Sequence, residues 1–112
     1  MKNNFAKATQ AIGPLEKELL KACNDGEAAK VADLIKKGAN VFADSEKPLL
    51  LAAGNGHLDV VKLLVAEGSL GLMRYNAPKF MAEQNGHTDV VNFLKQAQAD
   101  YRHKAQNSLK PQ

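Results

Sequence analysis

The sequence predicts an all-α protein, a helical solenoid of three helix-turn-helix repeats with short connecting loops. The string NGHLDVVKLL, residues 55–64, returns thirty residues later as NGHTDVVNFL, residues 85–94, with seven of ten letters unchanged. A motif repeated at fixed spacing is typical of a structural unit that stacks on itself. In addition, 45% of the residues are hydrophobic, but only 5% are aromatic and none is Trp. A core of Leu, Val, Ile and Ala therefore suits closely packed helices.

Length, charge and cysteine content narrow the class of protein. A chain of 112 residues fits one compact domain. The formal net charge is +3, but the excess lies in residues 89–112, and without a Lys/Arg run or an aromatic platform we expect no nucleic-acid binding. The sequence contains neither a signal-peptide run nor the ~20 apolar residues of a membrane span, so we expect a cytoplasmic protein, with a secreted effector as the alternative. The single Cys23 excludes an internal disulfide.

A shift of the sequence by thirty residues aligns three copies. The aligned sets are Leu20, Leu50 and Phe80; Ala22, Ala52 and Ala82; Gly26, Gly56 and Gly86; Val31, Val61 and Val91; and Leu34, Leu64 and Leu94. We expect a repeat domain over residues 14–101, with repeats at about 14–43, 44–73 and 74–101. Residues 1–13 are an N-terminal extension that either forms a short helix or frays. Residues 102–112 either extend the last helix or form a disordered tail.

The second helix of each copy has helical apolar spacing. In the middle copy, apolar residues recur at i, i+3, i+6 and i+7 from Leu58, so residues 59–67 predict a helix. Gly68 can end that helix in the left-handed conformation, and Gly38 has the same place in the first copy. Charged Lys30, Asp33 and Lys95 stand where the middle copy has Val60, Leu63 and Val65. Both outer faces are thus polar, as the ends of a closed stack require.

Proline and glycine predict the remaining boundaries. Pro48 and Pro78 each predict the first turn of a helix, where a missing N–H is harmless. The Asn-Gly pairs, which elsewhere signal a β-hairpin, here predict a helix-to-helix turn because their flanks lack period-two alternation. The connections at 38–47 and 68–77 suit an extended loop or a small hairpin. The predicted core consists of Leu19, Leu20, Val31, Leu34, Ile35, Leu50, Leu51, Ala52, Leu58, Val61, Leu64, Val65, Phe80, Met81, Ala82, Val91 and Leu94.

Residues 47–69, KPLLLAAGNGHLDVVKLLVAEGS, resemble the ankyrin repeat, whose pattern is T-P-L-H-x-A-A-x-x-G-H-x-x-V-V-x-L-L-x-x-G-A. The third copy, residues 77–99, keeps the proline, the Gly-His pair and both valines. The first, residues 14–41, is similar to the polar-faced N-terminal capping repeat of that family. The Thr and His of the family corner are replaced, by Lys47 and Leu50 in the middle copy. The period of thirty, against ~33 in the family, predicts shortened loop fingers.

The resemblance implies a non-catalytic module that binds another protein, without a cofactor and as a monomer. In ankyrin proteins the partner contacts the loop fingers and the ends of the first helices on the concave face. The matching residues are Asn24, Asp25, Gly54, Asn55, Gln84 and Asn85 on the helix ends, Asn40, Phe42, Asp44 and Ser45 on the first finger, and Leu70, Leu72, Met73, Arg74 and Tyr75 on the second.

The second finger leaves two readings open. Aromatic, Met and Arg side chains are enriched in interface cores, so Leu72, Met73, Arg74 and Tyr75 form, with Phe42, a hypothetical principal contact patch. Alternatively, the short loop folds its apolar side chains back over the helices. If the finger is a symmetric contact, the chain is instead a small self-associating regulatory or stress-associated protein.

Residues that could carry chemistry have structural explanations. Equivalent positions in stacked helix pairs lie ~8–10 Å apart, too far for His57 and His87 to bind one metal ion, so we expect them to orient their turns through local hydrogen bonds. Cys23 occupies a slot where the middle copy has alanine, which predicts a packed thiol and not a nucleophile. Asp59 and Asp89 begin helices, where a carboxylate complements the helix dipole. We therefore predict no enzyme, metal site or cofactor.

Overall fold

Six helices make up the part of the chain that the computed structural model describes, residues 12–68 and 76–109. No strand occurs within these ranges, so the predicted all-α class is confirmed. The helices are α1 (Pro14–Asp25), α2 (Ala28–Lys36), α3 (Ala43–Gly54), α4 (Leu58–Ala66), α5 (Ala77–Gln84) and α6 (Thr88–Leu109).

The helices form three pairs that stack in two layers. Within each pair the two helices pack on each other, and each helix also packs on its equivalent in the next pair: α1, α3 and α5 form one layer, α2, α4 and α6 the other. Leu34, Leu64 and Leu94 are at most 2% exposed and provide the spine of the second layer. The stack of repeats that the thirty-residue period predicts is therefore confirmed.

Two members of the predicted core are wrong. Phe80 is 55% exposed and Met81 is 39% exposed. In the first layer the deeply buried leucines are Leu19, which was in the predicted core, and Leu49, which was not; both stand one residue before the aligned Leu20 and Leu50. The third copy has Lys79 at that position, so Phe80 cannot take its place without a rotation of the helix.

Other predicted core residues are less buried than expected, and some buried residues were not predicted. Six of the predicted side chains are only partly buried: Leu20, Ile35, Leu50, Leu51, Leu58 and Val65. Eight described residues that are at most 2% exposed were not in the predicted set: Ala22, Cys23, Ala43, Pro48, Leu49, Ala53, Val60 and Val90. Small residues such as Ala22 and Ala53 are buried because neighbouring helices approach closely there, which apolar periodicity alone does not reveal.

The first connection is shorter than predicted. An extended loop or hairpin was expected over residues 38–47, but α3 begins at Ala43, so that Pro48 lies inside the helix and not in its first turn. Asp44 and Glu46 have φ of 53° and 63°, values that right-handed helix excludes. The irregular first turn accommodates the proline, which cannot donate to the carbonyl four residues earlier.

Buried groups hold this connection against the stack. Val41 is 6% exposed and Ala43 is 2% exposed. The Glu16 carboxylate in the first turn of α1 accepts hydrogen bonds from the backbone N–H of Gly13 at 3.1 Å and of Asn40 at 2.7 Å. These contacts explain why the segment does not project as a finger.

Several predictions fall on residues outside the described ranges. These are the N-terminal extension up to residue 11 and the second finger at 69–75, which includes Leu72, Met73, Arg74 and Tyr75. At the other end, α6 continues past Tyr101 to Leu109. None of the described helices combines the length and the apolar character needed to cross a membrane.

Replacement of Leu64 by Ala should lower the free energy of unfolding by about 2–5 kcal/mol, because its side chain is fully buried between neighbouring repeats. Phe80→Ala removes a larger side chain from a position that is 55% exposed, and should cost less than about 1 kcal/mol. Urea unfolding followed by circular dichroism measures both changes. A Phe80→Ala variant as unstable as Leu64→Ala would contradict the assigned core.

Candidate protein-binding surface

Three asparagine side chains form a row, which we call the amide row. Asn24 lies at the C-terminal end of α1, Asn55 in the turn that follows α3, and Asn85 in the turn that follows α5. All three are exposed. The Asn55 side-chain amide donates to Oδ1 of Asn24 at 2.9 Å, and the Asn85 amide donates to the backbone carbonyl of Gly54 at 2.6 Å. The hydrogen bonds cross from one repeat to the next and thereby fix the row.

Beside each of these hydrogen bonds, a histidine ring of one repeat packs against a glycine of the preceding repeat. A Cβ atom on Gly26 would lie 2.5 Å from Nδ1 of His57, and a Cβ on Gly56 would lie 2.5 Å from Nδ1 of His87. Both glycines also have positive φ, 78° and 77°. Glycine is therefore required twice over, by the turn and by the ring of the following repeat.

The histidines do more than the sequence predicted. The Nε2 atom of His57 lies 2.9 Å from the backbone carbonyl of Asn24. Because a carbonyl only accepts, Nε2 carries the proton and donates. The expectation of a hydrogen bond within the turn is thus wrong for His57, whose bond reaches the preceding repeat.

Gly54 differs from the other residues expected to contact a partner. It is buried, and a Cβ atom there would lie 3.6 Å from Cβ of Met81. At the equivalent place in the first joint the Asn24 side chain accepts the hydrogen bond from Asn55. Gly54 has no side chain, and its backbone carbonyl accepts the hydrogen bond from Asn85 instead. Gly54 therefore supports the joint between α3 and α5 and is corrected from a contact residue to a structural one.

Two exposed polar residues, Asp25 and Gln84, flank the amide row, and neither makes a described hydrogen bond to another repeat. Asp25 accepts a hydrogen bond from Lys21 at 3.0 Å. That hydrogen bond is the main cause of a lowered pKa for the Asp25 carboxyl, so the side chain keeps its negative charge. Gln84 is exposed at the end of α5. These two side chains are free to meet a partner from the ends of the row.

The first connection contributes one exposed aromatic residue. Phe42 is 38% exposed, and its backbone N–H donates to Oδ1 of the half-buried Asn40 at 2.9 Å. Asp44 is exposed, 3.8 Å from Nζ of Lys47. A Cβ on Gly68 would lie 3.8 Å from the tip of the Phe42 ring. Phe42 therefore lies beside the start of the second connection.

The described residues provide no arrangement for catalysis by Cys23. Its side chain is fully buried, and desolvation raises the pKa of the thiol to about 12. The reactive thiolate is thus almost absent near neutral pH. Among the side chains that the structure describes, no three of His, Cys, Asp or Glu come together as metal ligands would.

Comparison with known proteins identifies one family. The family model described as ankyrin repeats (3 copies) matches residues 19–105. No curated protein matches the chain.

The ring on Gly56 predicts a difference between two otherwise equivalent glycines. Gly56 and Gly86 have φ of 77° and 78°, so replacement by Ala should cost each about 1 kcal/mol in backbone strain. Gly56→Ala must also displace the His87 ring, which should raise its total cost to about 2–4 kcal/mol. Thermal or urea unfolding checks the difference. Equal losses for the two variants would contradict the assigned joint.

Burial of Cys23 predicts slow labelling by a thiol reagent such as iodoacetamide near pH 7.5, with full labelling after unfolding in urea. Burial raises the pKa of the Cys23 thiol in the folded chain to about 12, from an ordinary value of 9.0. The neutral thiol therefore stabilises the fold fully below about pH 9, and this contribution is lost as pH rises towards 12. Urea unfolding of wild type and Cys23→Ala between pH 8 and 11 measures the effect. Rapid native labelling would contradict a packed thiol.

Proposed function

Because the chain belongs to the ankyrin-repeat family, whose members generally mediate protein–protein interaction, we propose that it is a non-catalytic module that binds another protein. The contact surface in this proposal is the face formed by the ends of the first helices and by the connections, which is concave in the family. The module acts as a cytoplasmic monomer and takes no cofactor.

The observation that carries the proposal is the fixed geometry of the amide row. Asn55 and Asn85 are each tied to the preceding repeat by a side-chain hydrogen bond, yet both are exposed. An amide has two N–H groups and a carbonyl oxygen. Asn55 uses both N–H groups, on Asn24 and on the Leu51 carbonyl, and keeps its carbonyl oxygen for a partner, whereas Asn85 keeps one N–H and its oxygen. Since the row is ordered before binding, little conformational entropy is lost when a partner arrives.

The polar ends of the row suit a polar segment of the partner. Asp25 keeps a negative charge and can accept hydrogen bonds, whereas Gln84 can both donate and accept. Together with the amide row they suit the backbone groups of an extended segment that carries a basic side chain near Asp25. The partner's identity is not specified by this chemistry, because repeat stacks of one family bind unrelated targets.

The apolar part of the proposed surface lies at the connections. Phe42 is partly exposed beside Gly68, after which the chain continues to Leu72, Met73, Arg74 and Tyr75. Side chains of these types are enriched in the buried centres of interfaces. We propose that they form one patch with Phe42. Self-association through the same finger stays the alternative.

Arginine at both ends of the row, Asp25→Arg with Gln84→Arg, should weaken binding to the isolated partner about ten-fold or more, because two bulky cations would obstruct the surface. Neither side chain bonds across repeats, so the melting temperature should change little. The partner is obtained by cross-linking to the intact chain, and affinity is measured by isothermal titration calorimetry with purified components.

The matched control is Ala29→Arg with Glu67→Arg, which makes the same change in formal charge at exposed positions on the second layer. Equal loss of affinity in the control would attribute the effect to net charge and contradict the proposed surface. The same titration with Leu72→Ser and Tyr75→Ser tests the second finger. A collapse of thermal stability with unchanged affinity per folded molecule would assign that finger to the core.

A further inference from the structure

The C-terminal end of the stack has the same receiving groups as the two internal joints. Gly86 has φ of 78°, like Gly26 and Gly56. Unlike them, it has no described atom within 4 Å of a Cβ built on it. A cavity of about 280 Å³ lies there, lined by Gly86 and by side chains that include Glu83, Val91 and Lys95. In the internal joints the equivalent space over the glycine holds an imidazole ring.

The hydrogen-bond acceptor of the joint is also open at this end. In each internal joint the carbonyl two residues before the glycine accepts from the next repeat: that of Asn24 from His57, and that of Gly54 from Asn85. The matching carbonyl at the end of the stack belongs to Gln84. It accepts no hydrogen bond from the described residues.

An apolar side chain marks the same edge. Leu20 and Leu50 are half-buried, whereas the equivalent Phe80 is 55% exposed. Phe80 lies one helical turn before Gln84, and residues four apart share a face of the helix. The end of the stack is thus less completely sealed by polar groups than Lys95 led us to expect.

We propose that this open edge, defined as Phe80, Gln84, Gly86 and Val91, binds another protein that presents an Asn-Gly-His turn leading into a helix, as residues 55–57 and 85–87 do within this chain. The partner's imidazole lies over Gly86. A side-chain N–H of its Asn or His donates to the Gln84 carbonyl. Its apolar helix face covers Phe80 and Val91.

The opposite end of a second copy does not have these donors. Asp25 and Glu27 stand where the later copies have Asn and His. Ionised carboxylates only accept hydrogen bonds, so neither can donate to the Gln84 carbonyl. Lys30 and Asp33 are exposed where α4 has apolar Val60 and Leu63. The two ends of this chain are therefore not complementary, and the partner is a different protein. This edge shares only Gln84 with the surface proposed above, here through its backbone carbonyl and there through its side chain, and Phe80, Gly86 and Val91 lie outside that surface, so the inference goes beyond the proposed function.

The donor surface can be built into the full chain itself. The donor chain carries Asp25→Asn, Glu27→His, Lys30→Val and Asp33→Leu, which copy the middle repeat, together with Gly86→Asn, which blocks its own open edge. Asn tolerates positive φ, so the blocking side chain fills the space with little backbone strain. Sedimentation velocity of the donor chain mixed with wild type should show a one-to-one complex.

The acceptor variants give the matched comparison. Gly86→Asn in the acceptor should weaken the complex about ten-fold or more. Gly38→Asn should leave it unchanged, because Gly38 also has positive φ, 98°, and no atom within 4 Å, but lies elsewhere. Circular dichroism checks that every variant is folded, and a donor with only Asp25→Asn, Glu27→His and Gly86→Asn replaces the full donor should that one not fold.

Three results would overturn the inference. The first is absence of a complex between folded donor and wild type at concentrations of a few hundred micromolar. The second is equal weakening by Gly86→Asn and Gly38→Asn. The third is self-association of unmodified wild type that Gly86→Asn abolishes, because the edge would then bind a second copy and not a donor turn.

Discussion

The fold depends on the burial that each helix pair obtains from its neighbours. Helices α2 and α4 contain nine residues each, too few to be stable alone in water. The apolar side chains of one pair are covered only when a neighbouring pair packs on it, as the preceding pair does on Val60 and Val90, both with no exposed surface. Stability is therefore shared along the row of repeats, and the joints between them determine both the fold and the surface.

The same joints hold the candidate binding surface in place. The ring of His57 packs on Gly26 and donates to Asn24, while Asn55 donates to the side chain of that same residue. A change in Asn24 or Asn55 would therefore act on the stack as well as on the surface. A change at a side chain such as Asp25, which makes no hydrogen bond between repeats, should affect recognition with little effect on stability.

The sequence predicted the architecture because its strongest signals are periodic. A thirty-residue repeat, glycines at matching places and helical apolar spacing all indicate stacked helix pairs, and each of these is local or regular. The register of the first layer was less accessible: Leu19 and Leu20 are both apolar and were both predicted in the core, and only packing shows that Leu19 is fully buried and Leu20 half-buried. Pro48 was placed in a first turn because nothing in the sequence predicts the unusual backbone at Asp44 and Glu46.

For the surface, the sequence supplied the positions but not the contacts. Each His follows the glycine of the preceding copy by thirty-one residues, and that pairing was a usable signal for the joint. The hydrogen bond between His57 and Asn24 depends on side-chain direction across two repeats. Periodicity in one chain does not encode that direction.

The hydrogen bonds at the two Asn-Gly pairs bear on how the protein ages chemically. In a flexible peptide, the backbone nitrogen after an asparagine attacks the side-chain carbonyl carbon and ammonia leaves, which gives a succinimide. Water then opens the succinimide to aspartate or isoaspartate. Here the Gly56 N–H is bonded to Ala53 and the Asn55 amide to Asn24 and Leu51. Because the attacking nitrogen and the side-chain amide are each held by other hydrogen bonds, we expect Asn55 to deamidate more slowly in the folded chain than after the repeats have come apart.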